Sequence, residues 1–125
     1  MAPERGSTGR MSLYLVVAGV TIVFNLAAAV ADLTRARFVL DNSAELGIPP
    51  RWVVPLGLLK AAGAVGLVVG LAMDVVGLAA AVGLVLFFAG ALAVHARARV
   101  FHNIAYPGVF FALAVATLVL GMGRT

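Results

Sequence analysis

Residues 53–94 read VVPLGLLKAAGAVGLVVGLAMDVVGLAAAVGLVLFFAGALAV, and the only charged positions in the stretch are Lys60 and Asp74. Met73-Asp74 divides it into two apolar runs, 53–73 and 75–94. A helix of about 20 residues rises 1.5 Å per residue and so crosses a hydrocarbon core of about 30 Å. The connection is too short for anything but an antiparallel hairpin of two spanning helices. Outward from the hairpin, residues 11–31 and 104–121 form two further apolar runs of spanning length. The expected fold is all-α: an integral membrane four-helix bundle with up-down topology.

Composition agrees. The chain has 125 residues, 63% hydrophobic and 11% charged, and its mean hydropathy is +1.11. Soluble domains are about 45–50% apolar and about 25% charged. One transmembrane domain over 11–121 is expected, with a disordered polar tail at 1–10 and a short tail at 122–125. Arg5 and Arg10 precede an apolar segment and Ala29-Val30-Ala31, as in a signal peptide. Thr21 and Asn25 interrupt that segment, so it is read as a retained span. The net charge of +4 does not imply nucleic acid, because the arginines are scattered among loops without a basic helix or aromatic platform. Cysteine is absent, which excludes disulfides and thiolate metal sites.

Pro49-Pro50 and then Trp52 mark the approach to the second span, with Trp52 as an interfacial anchor and Pro55 in the first helical turn. Gly63, Gly66, Gly70 and Gly83 are read as helix-packing positions, since association in lipid depends on close backbone approach.

Up-down topology collects the polar residues at one end: Asp32, Arg35, Arg37, Asp41, Glu45, Arg51, Lys60, His95, Arg97, Arg99, His102, Asn103 and Tyr106. The other half is expected to be greasy. On the first span Tyr14, Thr21, Asn25 and Asp32 are spaced by seven, four and seven, one stripe that should face the bundle interior. Lys60, the only lysine, lies about 10 Å along its helix, and Asn25 a similar distance back from Asp32, so the two are expected to face each other. Asn25, Asp32, Lys60, His95, Arg97 and Tyr106 form the candidate polar pocket. Bland readings stand beside it. Lys60 can snorkel or pair with Asp32, and His95 can be an interfacial, hydrated histidine. Arg97 and Arg99 can be orientation signals, and Phe87, Phe88, Phe110 and Phe111 filler. Asn25 can serve only a neighbouring helix.

The segments Leu46-Gly47-Ile48-Pro49, Leu56 to Leu67 (LGLLKAAGAVGL) and Ala91 to Arg97 (ALAVHAR) together resemble the DoxX-like family of small four-helix bacterial membrane proteins. The likeness runs from about residue 12 to about residue 121. Gly47, Pro49, Lys60, Gly63, Gly66, His95 and Arg97 match its pattern. The resemblance implies a multi-pass protein of the bacterial cytoplasmic membrane, in a group linked by name to quinone oxidation and by some relatives to membrane oxidoreductase complexes.

Three functions are consistent with these residues. The first is a module binding a quinone or other lipophile within a membrane redox system, with a redox partner or a second copy as its associate. The second is a membrane-embedded acid–base enzyme, an isomerase or cyclase, using Asp32, Lys60 and His95. The third is a small transporter, although the first span has Asn25 where small multidrug exporters carry a mid-membrane glutamate. No metal, haem or flavin ligand set is evident. Five arginines on the polar side against three on the other place that side in the cytoplasm by the positive-inside rule.

Overall fold

Lipid offers no hydrogen bonds to a backbone, so a spanning chain must satisfy its own amides, and helices do this. A computed structural model describes residues 2–123, with side chains from residue 9 onward. Its helices are α1 (Ala2–Leu33), α2 (Arg37–Glu45), α3 (Val53–Val69), α4 (Asp74–Ala98) and α5 (Ala105–Met122), with a single 3₁₀ turn at Pro50–Trp52 ahead of α3. Four segments are long and apolar enough to cross a membrane: Gly9–Leu33, Pro50–Val69, Asp74–Ala98 and Ala105–Met122. They pack as a ring in which α1 touches α3 and α5, and α4 touches α3 and α5. The all-α membrane bundle expected from the sequence is the fold.

Each spanning helix buries a seam spaced alternately by three and four residues. On α1 it is Tyr14, Ala18, Thr21, Asn25, Ala28 and Asp32; on α5 it is Pro107, Phe110, Ala114, Thr117 and Gly121. Alternation of three and four is the left-handed bundle spacing of about 3.5 residues per turn. On α3 the seam runs Val53, Gly57, Lys60, Ala64, Leu67, and on α4 Gly77, Ala81, Leu84, Phe88, Ala91, His95. Lys60 and Ala91 are the two seam positions that are only partly buried. Outside the seams, large apolar side chains such as Val16, Val23, Val30, Val75 and Leu86 are exposed, as a lipid-facing surface requires.

The glycines set the hairpin. A methyl on Gly63 would stand 2.5 Å from Leu84 and one on Gly66 2.7 Å from Ala80, while one on Gly70 would strike the backbone of Gly77. This contact brings the backbones together at the turn, and α3 ends at Val69 rather than at 73. Gly83, expected to pack, is exposed with nothing within 4 Å of its missing side chain. It faces outward because it falls between the seam positions Ala81 and Leu84.

Three other boundaries differ from expectation. The backbone of residues 2–10 is helical where a disordered tail is expected, with Pro3 in the first turn, where a missing N–H leaves no intrahelical bond unmade. The connection at 34–51 contains α2. Its end explains Gly47: the Gly47 amide bonds Ala44 O (3.1 Å), the Ile48 amide bonds Ser43 O (2.9 Å), and Gly47 has φ +75°. This is a Schellman cap, which calls for a residue without a Cβ, and Pro49 then prevents continuation. Helix α4 continues past 94 to Ala98, where Arg99 (φ +57°) caps it in the same left-handed conformation. Arg124 and the side chain of Arg5, which enter the charge balance, lie outside the described residues.

These contacts separate the glycines by consequence. Gly70→Ala should lower stability by about 1–3 kcal/mol through overpacking against Gly77, whereas Gly83→Ala should stay within about 0.5 kcal/mol of the parent. Reversible unfolding in mixed micelles measures both. Equal behaviour of the two variants would contradict the packing described.

Candidate functional site

The polar end of the bundle encloses a cavity of about 430 Å³. Each helix contributes to its wall: Asp32 from α1, Phe38, Val39, Asp41, Asn42, Ser43 and Glu45 from α2, Val53, Leu56 and Lys60 from α3, Phe87, Phe88, Ala91 and His95 from α4, and Tyr106 and Pro107 from α5. The hollow forms where the α4 seam is underfilled, at Ala91, which the α3–α4 hairpin register places opposite Leu56.

Asp32 and Lys60 form the charged centre. The Lys60 ammonium donates to Asp32 Oδ2 at 2.8 Å, and the two side chains are 12% and 6% exposed. Gly57 makes this approach possible: a methyl there would stand 2.6 Å from Asp32 Cβ. The ammonium also lies 5.7 Å from the centroid of Phe87, a cation–π distance. Phe87 is thus more than filler, since its ring face lies beside a desolvated cation. Among the readings of Lys60, pairing with Asp32 is the one observed.

His95 is buried, at 4% exposure, rather than lying on the interfacial surface. Its Nδ1 lies 2.9 Å from Ala91 O. A carbonyl only accepts, so Nδ1 carries the hydrogen, and in the neutral ring Nε2 keeps a free lone pair. Nε2 has no hydrogen-bond partner among the described residues, and the ring lines the cavity. Tyr106, half-exposed, lies with its ring 4.9 Å from Phe110, which in turn is 5.1 Å from Phe88. With Phe87 and Phe88 at 5.0 Å, these rings form an aromatic floor.

Two residues of the candidate pocket are elsewhere. Arg97 is exposed in the last turn of α4 and does not line the cavity; there its charge complements the helix dipole. Asn25 is fully buried, but its amide donates to Thr21 O at 2.9 Å, and it does not face Lys60. With Asp32 set against Gly57, antiparallel register places Asn25 level with Ala64, one turn deeper than Lys60. Asn25 Oδ1 has no partner among the described residues. The half expected to be greasy also holds a polar tie: the Thr21 and Thr117 hydroxyls meet at 2.9 Å, joining α1 to α5.

Sequence reasoning missed the cover. Asn103 donates to Asn42 Oδ1 at 2.6 Å, and His102 Nε2 donates to Glu45 Oε2 at 2.8 Å. The two bonds tie α2 to the connection between α4 and α5 across the mouth of the cavity. The signal is the apolar run Phe38-Val39-Leu40 followed by Asp41-Asn42, within the long connection between the first two spans. Among the described residues no group of three histidine, aspartate, glutamate or cysteine side chains is placed to hold a metal ion.

Removing one partner of a buried ion pair strands the other, which costs about 3–5 kcal/mol. Lys60→Met and Asp32→Asn should each destabilise the bundle on that scale. The double variant should lose less than the sum of the two, with a coupling of about 1–3 kcal/mol. Unfolding of all four proteins in one detergent system closes the cycle, and strict additivity would show that the pair is not coupled.

Comparison with curated proteins and with solved structures gave no match. The model of the DoxX-like family matches residues 16–117, which takes in the whole of α3 and α4 and every side chain of the charged centre. The chain is a multi-pass membrane protein and belongs to the DoxX-like family.

Proposed function

We propose that the cavity receives the polar head of a lipophilic small molecule, a quinone being the leading candidate, and that the protein acts as an accessory module of a membrane redox system. The observation that supports this reading is the pairing of one donor and one acceptor in a single hollow. Lys60 has N–H groups beyond the one given to Asp32, and His95 Nε2 has an unused lone pair. A carbonyl oxygen can accept from the first, and a hydroxyl can donate to the second. A quinone and its reduced form present these two groups in turn. The aromatic floor of Phe87, Phe88 and Tyr106 suits a flat ring, and about 430 Å³ falls within the range of small-molecule sites. A redox partner would deliver or remove the electrons; a second copy of the chain is the other associate proposed.

A second reading rests on the same lone pair. His95 Nε2 beside the Asp32–Lys60 pair can take a proton from a bound lipophile, which would make the protein an isomerase or cyclase. The two readings separate on turnover.

Native mass spectrometry of the protein extracted from its own membrane, with identification of every retained small molecule, tests the binding. Ala91→Phe fills the cavity while leaving the charged pair in place, and Lys60→Ala removes the donor. A lipophile carried by the parent should be lost from both variants. Retention of the same molecule at parental level in both would sink the proposal.

A further inference from the structure

A second hollow, of about 640 Å³, lies between α1 and α5 on the lipid-facing side, walled by Val23, Ala27 and Ala31 of α1 and Ala105 and Val109 of α5. It is apolar along its length, and from Val23 to Ala31 it follows α1 for about 12 Å. Phe38 and Tyr106 line both this groove and the polar cavity, so these two rings are common to both walls. They are 60% and 45% exposed, and neither side chain makes a hydrogen bond to a described residue. Tyr106 rests on Phe110, which lines the groove. Rotation of Phe38, or of Tyr106 off Phe110, would therefore join the two spaces.

We infer that the groove holds the hydrocarbon tail of the molecule whose head occupies the cavity, and that this molecule arrives sideways from the bilayer between Phe38 and Tyr106. The inference rests on the head-binding reading above and narrows the ligand class to one hydrogen-bonding head on one long hydrocarbon chain. Two observations carry it. The cavity has room for a head group, and its other mouth is rimmed by Asp41, Asn42, Glu45 and Asn103. A tail leaving through that rim would keep its methylenes in water, against the hydrophobic effect. The apolar way out passes the two shared rings and leads into the groove.

Binding of two probes to the full chain in lipid nanodiscs tests this: a benzoquinone ring with no chain, and the same ring with a decyl chain. Ala27→Phe and Val109→Trp fill the groove from exposed positions and leave the cavity wall intact. In both variants the affinity for the decyl compound should fall at least about tenfold, the scale of leaving about two methylenes unburied. Affinity for the chainless ring should be unchanged. If the decyl compound binds the variants as it binds the parent, the tail lies elsewhere and the groove takes only bilayer acyl chains. Equal weakening of both probes would likewise overturn the assignment of the groove to the tail. If the parent binds neither probe, the head-binding reading falls, and this inference with it.

Discussion

A lysine and an aspartate drawn out of water must find each other, and the rest of this bundle is arranged around that requirement. Either charge alone at that depth would be costly. Asp32 stands on α1 beside Gly57 of α3, and Lys60 reaches it from one turn deeper. The side chain of residue 57 is missing where the two backbones need to close, so the ion pair also fixes the register of α1 against α3. From that register follow the depth of Asn25, its separation from Lys60, and the place of the cavity at the polar end.

The same pair makes the cavity polar without leaving an unpaired charge in its wall. Lys60 is neutralised within the protein, so a neutral head group can approach the remaining N–H groups without having to supply a counter-charge. His95 is held by its own helix through Ala91 O, which directs the unused nitrogen inward. Phe87 lies beside the ammonium and belongs to the aromatic floor. The polar groups are held from all five helices, while most of the surrounding wall surface is carbon.

The four spans and the polarity of one end could be read from the sequence, because both follow from length and from the cost of charge in lipid. The inner stripe of α1 could be read as well, since Tyr14, Thr21, Asn25 and Asp32 are polar and all four are buried. For α4 and α5 the seam was not legible. Their inward and outward faces are equally apolar, so hydropathy does not separate Leu84 from Leu86. Nor does it mark Gly83 as outward-facing, and Asn25 lies deeper than Lys60 because Asp32 is level with Gly57 rather than with the start of α3. Helix α2 escaped because a nine-residue amphipathic segment beside two prolines looks like a loop until a cavity beneath it gives its apolar side something to cover.

Only two seam positions, Lys60 and Ala91, fall short of full burial, and both border the hollow. The site is thus an omission in an otherwise regular packing scheme. A bulky side chain at 91 would restore an unbroken core with no change of backbone, and a different polar residue at 60 or 95 would alter what the hollow accepts. Two proteins could share this bundle, its glycine hairpin and its cap at Gly47, yet differ completely in what they bind. Membership of such a family fixes a scaffold, and what such a hollow could accept is set by a handful of interior positions that the scaffold itself does not dictate.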